Sequence, residues 1–119
     1  MFSHAGERRA IASTLLCGLE RYGQDTQALV KGYDPERYRK LAQQFDHLRL
    51  LASSLPELSV PWVALLISRA ELTFALFKAP HDPAARASIP TMLERHREHL
   101  EELMGSCARL IKADAARTH

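Results

Sequence analysis

Trp62-Val-Ala-Leu-Leu-Ile-Ser-Arg-Ala-Glu-Leu-Thr-Phe-Ala-Leu-Phe77 is the most apolar stretch of the chain, and its reading decides the fold. It holds the only tryptophan and two of the four phenylalanines. Spaced on a helix, Val63, Leu66, Ile67, Ala70, Phe74 and Phe77 form one apolar stripe. Trp62, Leu65, Leu72 and Leu76 form a second, roughly 130° away, with Arg69 in its middle. A helix that is apolar on two sides has to be covered on two sides. The Val63–Phe77 stripe is the cleaner one and is expected to face the interior. The face made by Trp62, Leu65, Arg69, Leu72 and Leu76 is then left for a second copy of the chain, because monomers seldom leave several hundred Å² of apolar surface open. The rival reading is a central helix wrapped on both sides by its own chain.

Working outward, Ser59 and Pro61 start this helix and Pro56 ends the one before it. That preceding helix opens at Asp34-Pro35-Glu36, with Asp34 as N-cap, Pro35 at the first helical position and Glu36 near the positive end of the dipole. Tyr38, Leu41, Phe45, Leu48, Ala52 and Leu55 step along it by three and four. The first helix is expected from about Ala5 to Lys31, carrying Ile11, Leu15, Leu19, Tyr22, Thr26, Leu29 and Val30 on one face. Gly18 and Gly23 read as positions that weaken it by about 1 kcal/mol each, the alternative being a close helix approach. Gly32 is a C-cap candidate.

On the other side, Ala79-Pro80-His81-Asp82-Pro83 is a loop, and Thr91 followed by Glu94 matches a capping box. The last helix is therefore expected from Thr91. A continuous helix from Pro83, kinked at Pro90, is the alternative. Leu93, His96, Leu100, Leu103, Cys107 and Leu110 mark its apolar face, and the end from Ala113 to His119 is expected to fray. No stretch alternates apolar and polar residues as a strand would. Four helices with short connections make an all-α, up-down-up-down antiparallel four-helix bundle in a single domain, residues 1–119, assembling as a dimer.

Composition narrows the function classes. With 46% hydrophobic and 25% charged residues the chain is globular rather than disordered. The net charge of +2 is small and its basic residues are interleaved with acidic ones, so no nucleic-acid footprint is expected. Cys17 and Cys107 have neither disulfide-scaffold nor metal spacing and read as reduced thiols of a cytoplasmic protein. Arg8-Arg9 and the apolar run up to Cys17 lack the small residue a lipoprotein leader needs. Trp62–Phe77 reads as too short for a membrane span, with Arg69 and Glu71 near its centre, so no membrane partner is expected.

Few residues suggest chemistry. His96 and His99 lie at i and i+3, with Glu102 at the next such step, a spacing that brings side chains to one helix face. Di-metal bundles repeat Glu-x-x-His on two helices, whereas position 93 is Leu and no second such motif exists. No metal or cofactor is expected, and His96 reads as a core histidine. Arg69 requires a carboxylate such as Asp46, Glu98 or Glu101, or else marks an anion or ligand site. Glu71 shares a small-polar face with Ala64, Ser68, Ala75 and Lys78 that reads as solvent-facing. No catalytic constellation is present. The sequence points to a non-enzymatic helical interaction module forming a homodimer, with an unidentified protein partner. The alternative is a small-ligand or metal-binding bundle using His96, His99 and Arg69.

Overall fold

The computed structural model describes residues 4–31 and 34–117. Helix α1 spans His4–Lys31, α2 Pro35–Ser53, α3 Ser59–Lys78 and α4 Pro83–Arg117, with a 3-10 turn at Pro56–Leu58. The chain is all-α and packs as a four-helix bundle in which α1 lies against α2 and α4, and α3 lies along α4. The bundle is rod-like. Its radius of gyration is 16.0 Å, against about 13.5 Å for a compact domain of this length. Its long dimension of 56 Å matches α4, whose 35 residues extend about 52 Å at helical rise.

The helix starts follow from local chemistry. The Asp34 carboxylate accepts from the Glu36 N–H at 3.0 Å, with Pro35 at the first helical position. Asp82 repeats the device before Pro83: its carboxylate accepts from the Ala84 N–H at 3.0 Å. Those backbone donors, with the Ala85 N–H foremost, hold the Asp82 carboxyl below the usual carboxylate range. The last helix thus begins at Pro83, not at Thr91, and runs through Pro90. Pro90 is exposed, so the backbone carbonyl that loses its N–H partner has water within reach. Glu94, the would-be box partner of Thr91, instead pairs with Arg97. Gly32 lies outside the described residues.

The core is built from the expected stripes of α1, α2 and α4: Leu15, Leu19, Tyr22 and Leu29 from the first, Leu41, Phe45 and Leu48 from the second, and His96, Leu100, Leu103, Cys107 and Leu110 from the last. Burial pushes the Cys107 thiol up to about 11. The two α1 glycines are close-approach sites. A Cβ on Gly18 would come within 2.6 Å of Leu48 Cδ2, and one on Gly23 within 2.7 Å of Leu100 Cδ2. They therefore let α2 and α4 sit tightly on α1, and their cost in helix propensity is offset by packing.

Helix α3 presents its faces in the opposite sense to the expectation. Trp62, Leu65 and Leu72 are buried at 9%, 0% and 4% exposure, covered by their own chain, and Leu76 packs against the same core. These residues cannot form the surface of a dimer while the bundle is intact. Val63, Leu66, Ile67, Phe74 and Phe77 keep 48%, 39%, 55%, 63% and 80% of their surface in water, and Val60 on the same side keeps 80%. The small-polar face read as solvent-facing is also buried in part: Ser68 and Ala75 are in the interior. Small residues let helix backbones approach closely, which is why this side, and not the bulkier stripe, carries the α3–α4 packing. Glu71, at the edge, pairs with Arg95 of α4 at 2.9 Å.

Candidate functional site

Three features bear on function, and α3 contributes to each. The first is its open apolar face. Summed over Val60, Val63, Leu66, Ile67, Phe74 and Phe77, the uncovered surface is on the order of 600–700 Å², above the 300–600 Å² of the largest patch on a typical monomer. The Glu71–Arg95 pair flanks it, and the Lys78–Asp82 pair at 3.6 Å closes its C-terminal end. With the 3-10 turn, the segment Pro56–Lys78 comprises 23 residues and is long and apolar enough to cross a membrane by length and composition. Trp62–Phe77 lies within that longer segment, and the packed helix of a bundle meets the same criterion.

The second feature is a buried polar chain joining three helices. Tyr22 of α1 and Ser68 of α3 lie on either side of His96 of α4, with Tyr22 Oη 2.8 Å from Nε2 and Ser68 Oγ 2.8 Å from Nδ1. Ser68 donates its single proton to the Leu65 carbonyl at 2.9 Å. The imidazole therefore carries its proton on Nδ1 and donates to Ser68, and the Tyr22 hydroxyl donates to Nε2. Burial, with Arg69 and His99 adding to it, lowers the His96 pKa to about 4, so the ring is neutral at pH 7. Burial also raises Tyr22 to about 12. Serine and histidine in contact invite comparison with nucleophilic catalysis. Here Ser68 and His96 are 2% and 1% exposed, the serine proton is committed to a carbonyl, and no substrate reaches the oxygen. The chain fixes helix register.

His99 and Glu102 do not join this arrangement. Their closest approach is 3.8 Å, through a His99 Nδ1 that is buried without a hydrogen-bond partner, while both His96 nitrogens are engaged with Tyr22 and Ser68. Among the described residues no three His, Cys, Asp or Glu side chains come together as a metal would need.

The third feature is Arg69. The expected carboxylates Asp46, Glu98 and Glu101 are not its partners, and among the described residues no carboxylate is within ion-pair distance of it. Its guanidinium instead lies 4.3 Å from the ring centroid of Phe45, and Trp62 stacks on the same ring at 4.8 Å and 22°. Trp62 and Arg69 are two turns apart, about 10 Å along the axis, so Phe45 of α2 sits between them. Toward the other end of α3 the gap to α2 opens into a cleft of about 1080 Å³, bordered by Leu29, Tyr38, Arg69, Phe74, Phe77 and Arg86.

Sequence reasoning missed Tyr22 and Ser68 as partners of His96, although Tyr22 was placed on the apolar face of α1. It also exchanged the two faces of α3. A usable signal was present: Leu58, Trp62, Leu65, Arg69, Leu72 and Leu76 alternate strictly by four and three, the pattern of a bundle seam. Comparison of the chain with protein-family models, with curated proteins and with solved structures finds no match.

Proposed function

We propose that the protein is a non-enzymatic helical interaction module that self-associates through the open face of α3, two copies packing Val63, Leu66, Ile67 and Phe74 against their symmetry equivalents. The observation that carries this reading is the uncovered apolar stripe itself. Two such stripes brought together by a two-fold axis would remove about 1,200–1,400 Å² from water, at the lower end of the range of specific interfaces. The stripe has an apolar centre, and its polar edge is already paired, Glu71 with Arg95, as interfaces require. A helix lying on a membrane carries a row of cations along its polar face. On α3 the only cations are Arg69 and Lys78, the first turned to Phe45 and the second to Asp82, which favours protein over lipid. Cys17 and Cys107 are both free thiols, suited to a reducing cytoplasm.

Light scattering from about 1 to 100 μM, a span that brackets a micromolar dissociation constant, tests the reading. Wild-type protein is expected to pass from monomer to dimer, and Ile67→Glu to remain a helical monomer throughout. A wild-type chain that is monomeric at the upper end, or one that co-sediments with lipid vesicles while monomeric, overturns it.

A further inference from the structure

The cleft lies at the Phe77 end of α3, between the ends of α1 and α3, the start of α2 and the Pro80 loop. Phe45 holds α2 and α3 together at Trp62 and Arg69, and beyond it Tyr38 is the residue of α2 that borders the cleft. The walls are mostly apolar: Leu29 and Val30 from the end of α1, and Ala70, Phe74, Leu76 and Phe77 from α3, with Thr73 the polar residue among them. At the inner end stand Arg69 and Tyr38, which also border a small void of about 20 Å³ reaching toward Tyr22 and Leu72. At the rim, Arg86 is pinned by donating through Nε and Nη2 to the Ala79 carbonyl at 3.3 and 3.0 Å.

The charge of Arg69 is the unusual element. A half-buried guanidinium normally meets a carboxylate, and no described carboxylate reaches this one. The ionisable groups that its charge acts on inside the bundle are Tyr22 and His96, and neither is an anion at neutral pH. Stacking on Phe45 uses the face of the guanidinium, and one part of its edge is turned to the Tyr22 hydroxyl; the in-plane N–H groups that remain are the donors a carboxylate would meet. A cation at the inner end and a second at the rim repel metal ions and amines. Between them the walls are mostly apolar, which suits a hydrocarbon tail better than a sugar.

We infer that this cleft binds a fatty carboxylate, its head group on Arg69 and its acyl tail along Phe74 and Phe77 toward Pro80. From Arg69 to Phe77 the helix rises about 12 Å, which accommodates an acyl chain of roughly ten carbons. Burying such a tail supplies the affinity, and the guanidinium supplies the choice of head group. The cleft shares Phe74 and Phe77 with the open face proposed for self-association, whereas Val63, Leu66 and Ile67 lie outside it, so acyl binding and self-association compete for those two rings.

Isothermal titration calorimetry with dodecanoate below its micellar concentration tests the site, with far-ultraviolet circular dichroism recorded alongside. One dodecanoate per chain is expected to bind with micromolar affinity, acetate and inorganic phosphate not at all, and dodecylammonium at least about tenfold more weakly. Arg69→Leu should weaken dodecanoate by about tenfold or more. Thr73→Trp, which fills the cleft wall and leaves the cation in place, should abolish binding and serves if Arg69→Leu does not fold. Ile67→Glu, which stays monomeric and leaves Phe74 and Phe77 free, should bind at least as tightly as wild type, so that failure of self-association and failure of this site are told apart. Equal affinity for dodecanoate and dodecylammonium, unchanged binding by Arg69→Leu or by Thr73→Trp, or binding only at millimolar concentration with loss of helix, would each overturn the inference.

Discussion

The two faces of α3 are nearly equal in apolar content, yet one is sealed in the bundle and the other stands in water. Leu65 and Leu72 are covered on all sides, whereas Ile67 and Phe74, two residues further along, are more than half exposed. The difference is not hydrophobicity. The buried side combines leucines with Ser68 and Ala75, whose small side chains let α4 approach, and it places Ser68 where His96 needs a partner. The open side has only bulk. Shape and hydrogen bonding, rather than apolar area, select which face becomes core.

The largest effect that tests this contrast is a charge on each face. Leu65→Glu should unfold the protein, because burial of an unpaired carboxylate costs more than roughly 5 kcal/mol. Ile67→Glu should leave the denaturation midpoint of the monomer within about 0.5 kcal/mol of wild type. Similar midpoints for the two would erase the distinction. Truncation gives a smaller version: Leu72→Ala is expected to lose about 2–5 kcal/mol, and Phe77→Ala, measured below the micromolar range, close to nothing.

The buried polar chain gives the contrast a pH signature. His96 titrates near 6.5 in the unfolded chain and near 4 in the folded one. Between these values the unfolded state holds the extra proton, so stability is fully present above about pH 6.5 and falls as the pH drops toward 4, by roughly 3 kcal/mol in all. About 2 kcal/mol of this should be seen by pH 5, before the carboxylates titrate. Urea midpoints across that window should fall for wild type and for Ile67→Glu alike, and stay flatter for His96→Phe. A wild-type profile as flat as that of His96→Phe would mean that the ring is not buried neutral.

The smallest effect extends the comparison from α3 to the glycines. A Cβ on Gly105 would meet only Arg109 Nη1, at 3.4 Å, so Gly105→Ala should stabilise by about 1 kcal/mol through helix propensity. Gly18→Ala has the same propensity gain but drives into Leu48, and overpacking of roughly 1–3 kcal/mol cancels or exceeds it. Equal gains in thermal midpoint for the two would show that α1 and α2 are not in close contact.

Much of the fold was legible because it rests on periodicity and capping. Asp34-Pro35 marks α2 without help from the rest of the chain, and the stripe from Leu15 to Leu29 declares its buried side. The start of α4 was harder. Two capping signals, at Asp82 and at Thr91, lie nine residues apart, and what decides between them is whether the helix tolerates Pro90, which depends on its exposure. The faces of α3 were not legible from apolar pattern alone, since both qualify and the choice depends on where α4 lies. His96 could be read as a core histidine, but Tyr22 and Ser68 are separated from it by 74 and 28 residues, and no local signal links such positions. Arg69 drew notice as a charge on an apolar seam; that its partner is an aromatic ring became visible only with α2 in place.

Those separations also bear on the order in which the chain assembles. Bringing Ser68 to His96 closes a segment of 28 residues, and bringing Tyr22 to the same ring closes one of 74. Chain-closure entropy alone favours the shorter by about 0.9 kcal/mol. The α3–α4 hairpin, with its Asp82-capped turn, is therefore expected to form the nucleus onto which α1 docks. In folding kinetics, Leu72→Ala should slow refolding by most of its equilibrium loss, while Leu19→Ala should act mainly by accelerating unfolding. The reverse partition would place nucleation in the α1–α2 pair.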